Sequence, residues 1–318
     1  MLHQPSGRRA LGFALALLTM LLWGVLPFAL HLALASLDAA TLTWFRFLVS
    51  TLVVGGWLAL QGRLPALAGL SRAGWALLLV ATLGLAANYI GFLLGLDRTT
   101  PANAQVLIQL GPLLLALGAI AVFGERFGAP QWLGFAVLIA GLGLFFRSQL
   151  EALARDLDRY LSGVGLIAFA ALSWAMYGLA QKQLLRALSS QGVMLCIYLG
   201  CTLCFWPWSH PSALAGLSAG ALAVLLFCAA NTVVAYGAFA AALDHWEASR
   251  ISAVLALTPL ATLACSALAV QVAPARFAAE QLSATSLAGA GLVVAGSLLT
   301  SLGVRRTPAE PGQEPASS

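Results

Sequence analysis

The sequence contains very little charge. Of its 318 residues, 16 are Lys or Arg and 11 are Asp or Glu, so charged residues make up only 8% of the chain. Soluble domains use roughly a quarter of their residues for these four types, and this shortage excludes a water-soluble protein. Hydrophobic residues make up 61% of the chain, and the mean hydropathy is +0.92. That amount of apolar sequence suffices for about ten membrane-spanning helices of about 20 residues each.

The sequence also lacks the groups that enzymes and metal sites use. It has 4 His and 5 Cys, and all the Cys lie within apolar runs. Cys201-x-x-Cys204 has the spacing of a metal or redox site, but no partnering His or second Cys pair accompanies it. Because no catalytic triad, metal set or carboxylate pair is found, we predict that the protein is not an enzyme and that it uses no cofactor or metal.

Long apolar runs alternate with short joints that contain charged residues, Gly or Pro. At such joints the backbone can leave the helix and reach water. The runs predict an all-α integral membrane protein with ten transmembrane helices. The predicted bounds of these helices are 11–35, 41–60, 74–96, 101–123, 130–147, 163–183, 192–208, 216–243, 248–272 and 284–303.

The basic residues of the joints predict the orientation. With both termini in the cytoplasm, ten Lys or Arg side chains lie on the cytoplasmic side and five on the other. Because cytoplasmic joints are enriched in Lys and Arg, this favours a multi-pass protein of the cell inner (plasma) membrane with both termini cytoplasmic. The net charge of +5 thus bears on orientation, and we predict no nucleic-acid partner. The segments outside the spans are a cytoplasmic N-terminus at 1–10, an extracytoplasmic linker at 148–162 and a disordered cytoplasmic tail at 304–318.

A cleaved signal peptide is an alternative interpretation of the first run. Arg8 and Arg9 precede it, and it ends in Ala33-Leu34-Ala35. However, the run is about 25 residues long, whereas the apolar part of a signal peptide has about 7 to 15. We therefore interpret it as the first transmembrane helix.

The two halves of the chain resemble each other. The aligned residues, at offsets of 147 to 155, are Tyr89 with Tyr236, Pro112 with Pro259, Trp23 with Trp174, Gly134 with Gly289, and Gly141 with Gly296. Each half, 11–147 and 163–303, contains five predicted spans. Since five is odd, the second half enters the membrane from the opposite side. This pattern predicts two inverted five-helix repeats that alternate between outward-open and inward-open states.

The ordered motifs resemble those of the drug/metabolite transporter superfamily, and specifically of its ten-helix EamA-like transporters. The matching stretches are Leu22-Trp23-Gly24, Arg46-Phe47, Ala102-Asn103-Ala104, Pro112, Gly124-Glu125-Arg126, Gln131-Trp132-x-Gly134, Gly141 and Leu172-Ser173-Trp174-Ala175. The resemblance covers residues 11–303 and implies a bundle of two inverted repeats that moves small metabolites, often amino acids, usually outward. The chain departs from the family pattern at His31, where the family often has Lys, and at 269–280, which lacks a Gly-Glu pair.

Polar residues of the fourth predicted helix are candidates for the substrate pathway. Gln105, Gln109 and Pro112 follow one another at i, i+4 and i+7 and so share one face. Polar side chains in lipid are costly unless they turn to partners or water, so we expect this face to line the interior. Pro259 occupies the matching position of the ninth helix. The alternative is a packing kink whose Gln side chains bond neighbouring helices.

Aromatic and amide residues supply further candidates. Asn88 and Tyr89 lie in the third predicted helix, and Asn231 and Tyr236 in the eighth. Rings with one polar tip suit the wall of a cavity for a small amphipathic solute, although hydrogen bonds between helices would use the same residues. Two Trp in mirrored helices are candidates with packing as the alternative, namely Trp23 and Trp174. Six Trp near span ends are predicted interfacial anchors: Trp44, Trp57, Trp75, Trp206, Trp208 and Trp246.

Arg46 is the most informative charge because it lies within the second predicted span. An Arg in the membrane is a functional candidate by default. The alternative is that it extends to the outer interface, toward Asp38 or Asp97. His31 is close to the same level and is the one candidate for a proton relay.

No Asp or Glu lies near the middle of any predicted span. A lipophilic cation needs a buried carboxylate, because an uncompensated charge in a dry cavity is costly. We therefore predict a neutral, zwitterionic or anionic small-molecule substrate. The energy source of transport stays open. The solute could be exchanged for protons, could be exchanged for a counter-substrate, or could move down its own gradient.

These features predict a secondary transporter that exports amino acids or similar small metabolites by alternating access. It would work in the lipid bilayer as a monomer or a homodimer. One alternative is a transporter of another small solute, such as a nucleotide-like, cofactor-type or lipid-linked molecule. The other is a non-transporting membrane scaffold in which the polar residues only join helices.

Overall fold

The computed structural model describes residues 8–123, 128–152, 157–245, 254, 255, 257–272 and 283–302. All regular structure in this part of the chain is helical, as the sequence predicts. The α-helices are α1 (Arg9–Leu34), α2 (Ala39–Leu60), α3 (Arg72–Arg98), α4 (Pro101–Leu107), α5 (Leu110–Phe123), α6 (Ala129–Ala152), α7 (Leu157–Leu184), α8 (Ser190–Phe205), α9 (Ala219–His245), α10 (Thr258–Val272) and α11 (Ala284–Leu302). Short 3-10 helices occupy Leu67–Gly69, Trp206–Trp208 and Pro211–Gly216.

Several of these helices have the length and composition of membrane spans. Six described segments are long and apolar enough to cross a bilayer: Arg9–Leu34, Ala39–Leu60, Arg72–Arg98, Leu157–Gln181, Ser190–Trp208 and Ala219–Phe239. Two shorter apolar segments are Ala129–Phe145 and Ala284–Thr300. This all-helical, apolar architecture agrees with the predicted membrane protein, whereas the total of ten spans stays a prediction.

Short polar side chains determine where several helices begin. The Asp38 carboxylate accepts a hydrogen bond from the backbone N–H of Thr41 at 2.9 Å and caps α2. Ser71 and Ser189 cap α3 and α8 in the same way. Such caps satisfy N–H groups that the first turn of a helix leaves unpaired. The polar joints therefore specify the helix starts.

The predicted fourth span, 101–123, is not one continuous helix. It is divided into α4 and α5 because Pro112 has no N–H to donate to the carbonyl of Ile108. The N–H of Gly111 donates to that carbonyl instead, at 2.8 Å. This bond joins residues three apart and tightens the backbone. The i, i+4, i+7 face predicted for this span is therefore interrupted between α4 and α5.

Other predicted boundaries differ in detail. α6 continues to Ala152 and α7 begins at Leu157, so the described residues of the 148–162 linker are helical extensions. The joint at 124–126, the start of the predicted ninth span at 248–253 and most of both terminal segments lie outside the described residues.

Helices from the two predicted halves pack against each other. α1 lies against α9, α3 against α7, α2 against α8, and α6 against α11. In the last pair, Gly134 faces Gly296 and Gly141 faces Gly289, and a Cβ added at Gly134 or Gly141 would come within 2.7 or 2.8 Å of the opposite carbonyl oxygen. Small residues of this kind allow close helix packing in membranes. Much of the buried interior thus lies between the halves.

Candidate functional site

The Arg46 side chain of α2 lies inside the helix bundle, with 3% of its surface exposed. Its Nε donates a hydrogen bond to Thr232 Oγ1 of α9 at 3.1 Å. Its Cζ lies 4.8 Å from the centroid of the Tyr89 ring of α3. Arg46 therefore joins two helices of the first half to one helix of the second.

This geometry contradicts the alternative in which Arg46 extends to the outer interface. Asp38 accepts hydrogen bonds from the backbone and hydroxyl of Thr41, at 2.9 and 2.6 Å. Asp97 lies 3.7 Å from Arg159. Within the part of the chain that the structure describes, Arg46 forms no ion pair with a carboxylate.

Four of the five Tyr in the chain lie in one aromatic cluster beside Arg46. Tyr89 of α3, which Arg46 contacts, is buried together with Tyr177 of α7 and Tyr198 of α8, and Tyr236 of α9 packs against them. The ring of Phe47, the residue next to Arg46, lies 4.5 Å from the ring of Tyr89 and 5.9 Å from that of Tyr198. The cation thus contacts a cluster built from several helices.

Tyr177 and Tyr198 are not singled out by the sequence, although they are only 4% and 2% exposed. The Tyr177 hydroxyl donates to Met194 Sδ at 3.4 Å and so links α7 to α8. A local signal for Tyr177 is its position three residues after Trp174, which places both on one helical face. Tyr198 has no comparable signal, because its neighbours at the site come from distant helices.

Three predicted candidates meet where α1 contacts α9. The Trp23 ring packs edge-to-face on the Tyr236 ring, with 5.3 Å between centroids. Asn231 Nδ2 donates to the carbonyl of Leu22 at 2.8 Å. Asn231 Oδ1 is buried without a hydrogen-bond partner among the described residues. Tyr236 also packs against the buried cluster that contains Tyr89, so this contact adjoins the Arg46 site.

Asn88 and Trp174 belong instead to the contacts of α7. Asn88 Nδ2 donates to the carbonyl of Ala170 at 2.9 Å, which is the hydrogen bond between helices that the sequence left as an alternative. Trp174 is half-buried beside Gly111, where an added Cβ would lie 3.2 Å from Trp174 Cε3. Trp174 therefore lies next to the break between α4 and α5.

The polar residues near that break are buried. Gln105 and Gln109 are 9% and 7% exposed, so both turn inward as predicted, although the break separates α4 from α5 between them and Pro112. Gln109 Nε2 and both amide atoms of Asn103 have no hydrogen-bond partner in the described part of the chain. Pro112 lies in the first turn of α5, and Pro259 is buried at the start of α10. Their roles in a pathway stay predictions.

His31 differs from Arg46 in its surroundings. It is exposed near the end of α1, whereas Arg46 is buried. Its expected role in a proton relay stays a prediction.

The Trp predicted as interfacial anchors fall into two groups. Trp44 is only 6% exposed and packs against Trp206, with 5.5 Å between ring centroids, so its assignment as an anchor is wrong. Four others are exposed as expected, namely Trp57, Trp75, Trp206 and Trp208. Trp246 lies outside the described residues.

The arrangement combines a permanent cation with aromatic faces, hydroxyl groups and unpaired amide atoms. A guanidinium stays protonated under all ordinary conditions, so the centre of the site is positive. Among the described residues, no group of three or more His, Cys, Asp or Glu is placed to hold a metal ion. The site is suited to hold a small molecule by hydrogen bonds and ring contacts.

Known proteins resemble this chain over nearly its whole length. "Uncharacterized inner membrane transporter YhbE" of Escherichia coli (strain K12) is 38% identical, over 93% of this chain and 92% of its own. "Probable amino-acid metabolite efflux pump" of Salmonella typhimurium is 26% identical, over 92% of this chain and 96% of its own. A solved crystal structure at 21% identity covers 94% of this chain and 98% of its own, with a TM-score of 0.60, and therefore has a similar fold.

The family comparison agrees with the resemblance seen in the motifs. The EamA-like transporter family matches the chain twice, at residues 10–147 and 161–302. Together these two matches include α2, α3, α7, α8 and α9, which carry Arg46, Thr232 and the four tyrosines. The chain belongs to the EamA-like transporter family.

Proposed function

We propose that the protein is a secondary transporter of the inner membrane that exports amino acids or similar small metabolites by alternating access. The observation that carries this proposal is the buried hydrogen bond from Arg46 to Thr232. Arg46 and Thr232 belong to different halves of the chain, so the cation and the neighbouring tyrosines lie where the two halves meet. Transporters built from repeats bind their substrates at such an interface.

Contacts between equivalent residues support an arrangement of two inverted repeats. Gly134 aligns with Gly289, and Gly141 with Gly296, at one offset of 155 residues. An operation that exchanged the two halves would therefore exchange the contact of Gly134 with Gly296 and that of Gly141 with Gly289. A two-fold axis in the membrane plane is the relation expected of inverted five-helix repeats within ten spans.

A second pair of contacts follows the same relation. Asn88 Nδ2 donates to the carbonyl of Ala170 at 2.9 Å, where α3 meets α7. Thr19 Oγ1 lies 3.4 Å from the carbonyl of Ala235, where α1 meets α9. Asn88 aligns with Ala235 at an offset of 147, and Thr19 with Ala170 at an offset of 151. This pair of contacts also supports the proposed repeat.

The interrupted helices support a moving core. Pro259 cannot donate to the carbonyl of Leu255, and the hydroxyl of Thr258 donates to it instead. The equivalent position in the first half is the break at Pro112, and α4 packs against α10. Broken helices that pack near the centre of a bundle are where transporters bind substrate and change conformation. We propose the same role for these two.

Three further observations support the cargo and the orientation. The relative from Salmonella typhimurium is named as a probable amino-acid metabolite efflux pump. The Arg46 site has no carboxylate among its described residues, and a lipophilic cation would need one. For the orientation, the excess of Lys and Arg in the predicted cytoplasmic joints supports cytoplasmic termini.

Flux from reconstituted vesicles tests the proposal. Vesicles that contain the purified protein and are loaded with labelled amino acids should release at least one of them faster than protein-free vesicles. Arg46→Gln should abolish this flux, whereas Arg63→Gln should not, because Arg63 lies exposed in a joint. Movement of another solute class, with no amino acid moving, would contradict the cargo. Absence of flux for every solute class would contradict transport itself and favour the scaffold.

A further inference from the structure

We propose that the Arg46 guanidinium binds the carboxylate group of the transported solute. The proposal rests on the transport function proposed above and adds a chemical class to it. The cargo is a small carboxylate, supplied either by a zwitterionic amino acid or by an organic anion. Both present the same group to Arg46, so the experiment below separates them.

Most of the N–H donors of Arg46 have no partner among the described residues. A guanidinium carries five N–H groups, and the Nε–H is the one that donates to Thr232 Oγ1. Within the described part of the chain, the two Nη groups have no hydrogen-bond partner. Four N–H donors are therefore available to a small molecule or to water on a side chain that is 3% exposed.

A purely structural Arg at this depth would need a counter-charge, because removing an ion from water is costly. The described carboxylates nearest in sequence do not supply one. Asp38 and Asp97 have side chains that are 46% and 57% exposed, and they interact with His210 and Arg159. The Tyr89 ring face compensates part of the charge. An anionic group of the solute would provide the counter-charge that these described carboxylates do not supply.

The geometry also selects the kind of anion. Thr232 occupies the Nε side of the guanidinium, and the Tyr89 ring covers one of its faces. The edge formed by the two Nη groups is the one without a hydrogen-bond partner among the described residues. Two parallel N–H donors on this edge match the two oxygens of a carboxylate, which is the geometry of strong bidentate pairs.

Binding of matched compounds tests the inference. The purified wild-type protein is first screened for thermal stabilisation by the twenty amino acids and by small organic monocarboxylates. Each compound that binds is then compared with its amide. For each amino acid that binds, two more compounds are tested. One is the amine in which the carboxylate has been removed, and the other is the carboxylic acid in which the amino group has been removed. We expect the acids to bind at least about tenfold more tightly than the amides, the loss typical of a missing charge-assisted hydrogen bond.

Variants then assign the carboxylate preference to Arg46. Arg46→Gln should lose the preference, Arg46→Lys should keep part of it, and Arg63→Gln should keep all of it. If Arg46→Gln does not fold, Thr232→Ala is tested in its place. This variant keeps the charge of Arg46 but removes the hydroxyl group to which Nε donates. It should bind more weakly and still prefer acid over amide. Equal binding of acid and amide to the wild type, or unchanged affinity in Arg46→Gln, would overturn the inference.

The outcomes separate this inference from the proposed function. Amino-acid flux that does not require the carboxylate would overturn the inference and leave the transporter intact. Binding of organic anions that depends on Arg46, without binding of any amino acid, would support the inference and contradict the amino-acid cargo. If no carboxylate of either kind binds to the wild type, the inference is wrong.

Discussion

The Cζ atom of Arg46 lies 4.8 Å from the centroid of the Tyr89 ring, and Thr232 accepts a hydrogen bond from the Nε of the same guanidinium at 3.1 Å. A ring face and a hydroxyl from two different helices thus hold one cation in place. Neither partner is a carboxylate, and among the described residues Arg46 forms no ion pair. A cation that is fixed in position without a described counter-charge suits a binding group better than a packing contact.

The ring of Tyr89 should matter more than its hydroxyl for holding Arg46. Tyr89→Phe keeps the aromatic face, whereas Tyr89→Leu removes it. A desolvated cation–π contact contributes up to about 2 kcal/mol, so the Leu variant should be less stable than the Phe variant by about 1–2 kcal/mol. Thermal unfolding of the purified proteins in the same detergent measures the difference. Equal losses in both variants would assign the effect to the hydroxyl group, which both variants lack.

The contact between α6 and α11 should tolerate no side chain at Gly141. A Cβ there would lie 2.6 Å from the backbone nitrogen of Val293 and 2.8 Å from the carbonyl oxygen of Gly289. Gly141→Ala should therefore lower stability by about 1–3 kcal/mol, the usual effect of overpacking.

A matched control lies in the same helix. A Cβ at Gly143 would have nothing within 4 Å, so Gly143→Ala should be neutral or stabilising by up to about 1 kcal/mol, because Ala favours helix. Comparison of the two melting temperatures checks the prediction. A Gly141→Ala protein as stable as Gly143→Ala would contradict the close packing.

The cap of α2 should make stability depend on pH in the acid range. Partial burial acts to raise the pKa of Asp38, but hydrogen bonds from Thr41 and the charge of nearby His210 outweigh it, and the pKa is lowered overall. A carboxylate with a lowered pKa stabilises the fold above its unfolded pKa of about 3.9. That contribution is lost as the pH falls through the lower pKa of the folded state.

Two substitutions separate the charge of Asp38 from its capping role. Asp38→Ala should cost roughly 0.5–2 kcal/mol at neutral pH, because it removes the cap, and Asp38→Asn should cost less, because Asn also caps helices. The stability gap between wild type and Asp38→Asn should narrow below about pH 4. Melting temperatures from pH 7 down to pH 3 measure this gap. A gap that stays constant over that range would show that the charge contributes nothing.

Much of the architecture follows from local sequence properties. Runs of apolar residues predict the helices, and the Lys and Arg at their ends predict how they are oriented. Arg46 could be identified because an ionised side chain within an apolar run is rare and costly. Tyr89 and Tyr236 could be paired because they occupy equivalent positions in the two halves.

The remaining features depend on contacts between distant parts of the chain. Trp44 lies near a span end but is buried, because Trp206 from a remote segment packs against it. Tyr198 lies near the site because α8 packs against α2, which is distant from it in sequence. Pro112 predicted a distortion of its helix, yet the size of the break depended on which N–H replaced the missing donor, here that of Gly111.

The central prediction is that the Arg46 site opens in turn to each side of the membrane. Thr232 contacts Arg46 directly, so Thr232→Cys, in a chain whose five native Cys are replaced by Ala or Ser, reports access to the site. Right-side-out and inverted vesicles are treated with a thiol reagent that is soluble in water and does not cross the membrane. Ala290→Cys is the control, because Ala290 is buried in α11 and 1% exposed.

We predict that Thr232→Cys reacts from both sides, that a bound carboxylate solute slows both reactions, and that Ala290→Cys reacts from neither side. Reaction of Thr232→Cys from one side only, or from neither, would contradict alternating access to Arg46.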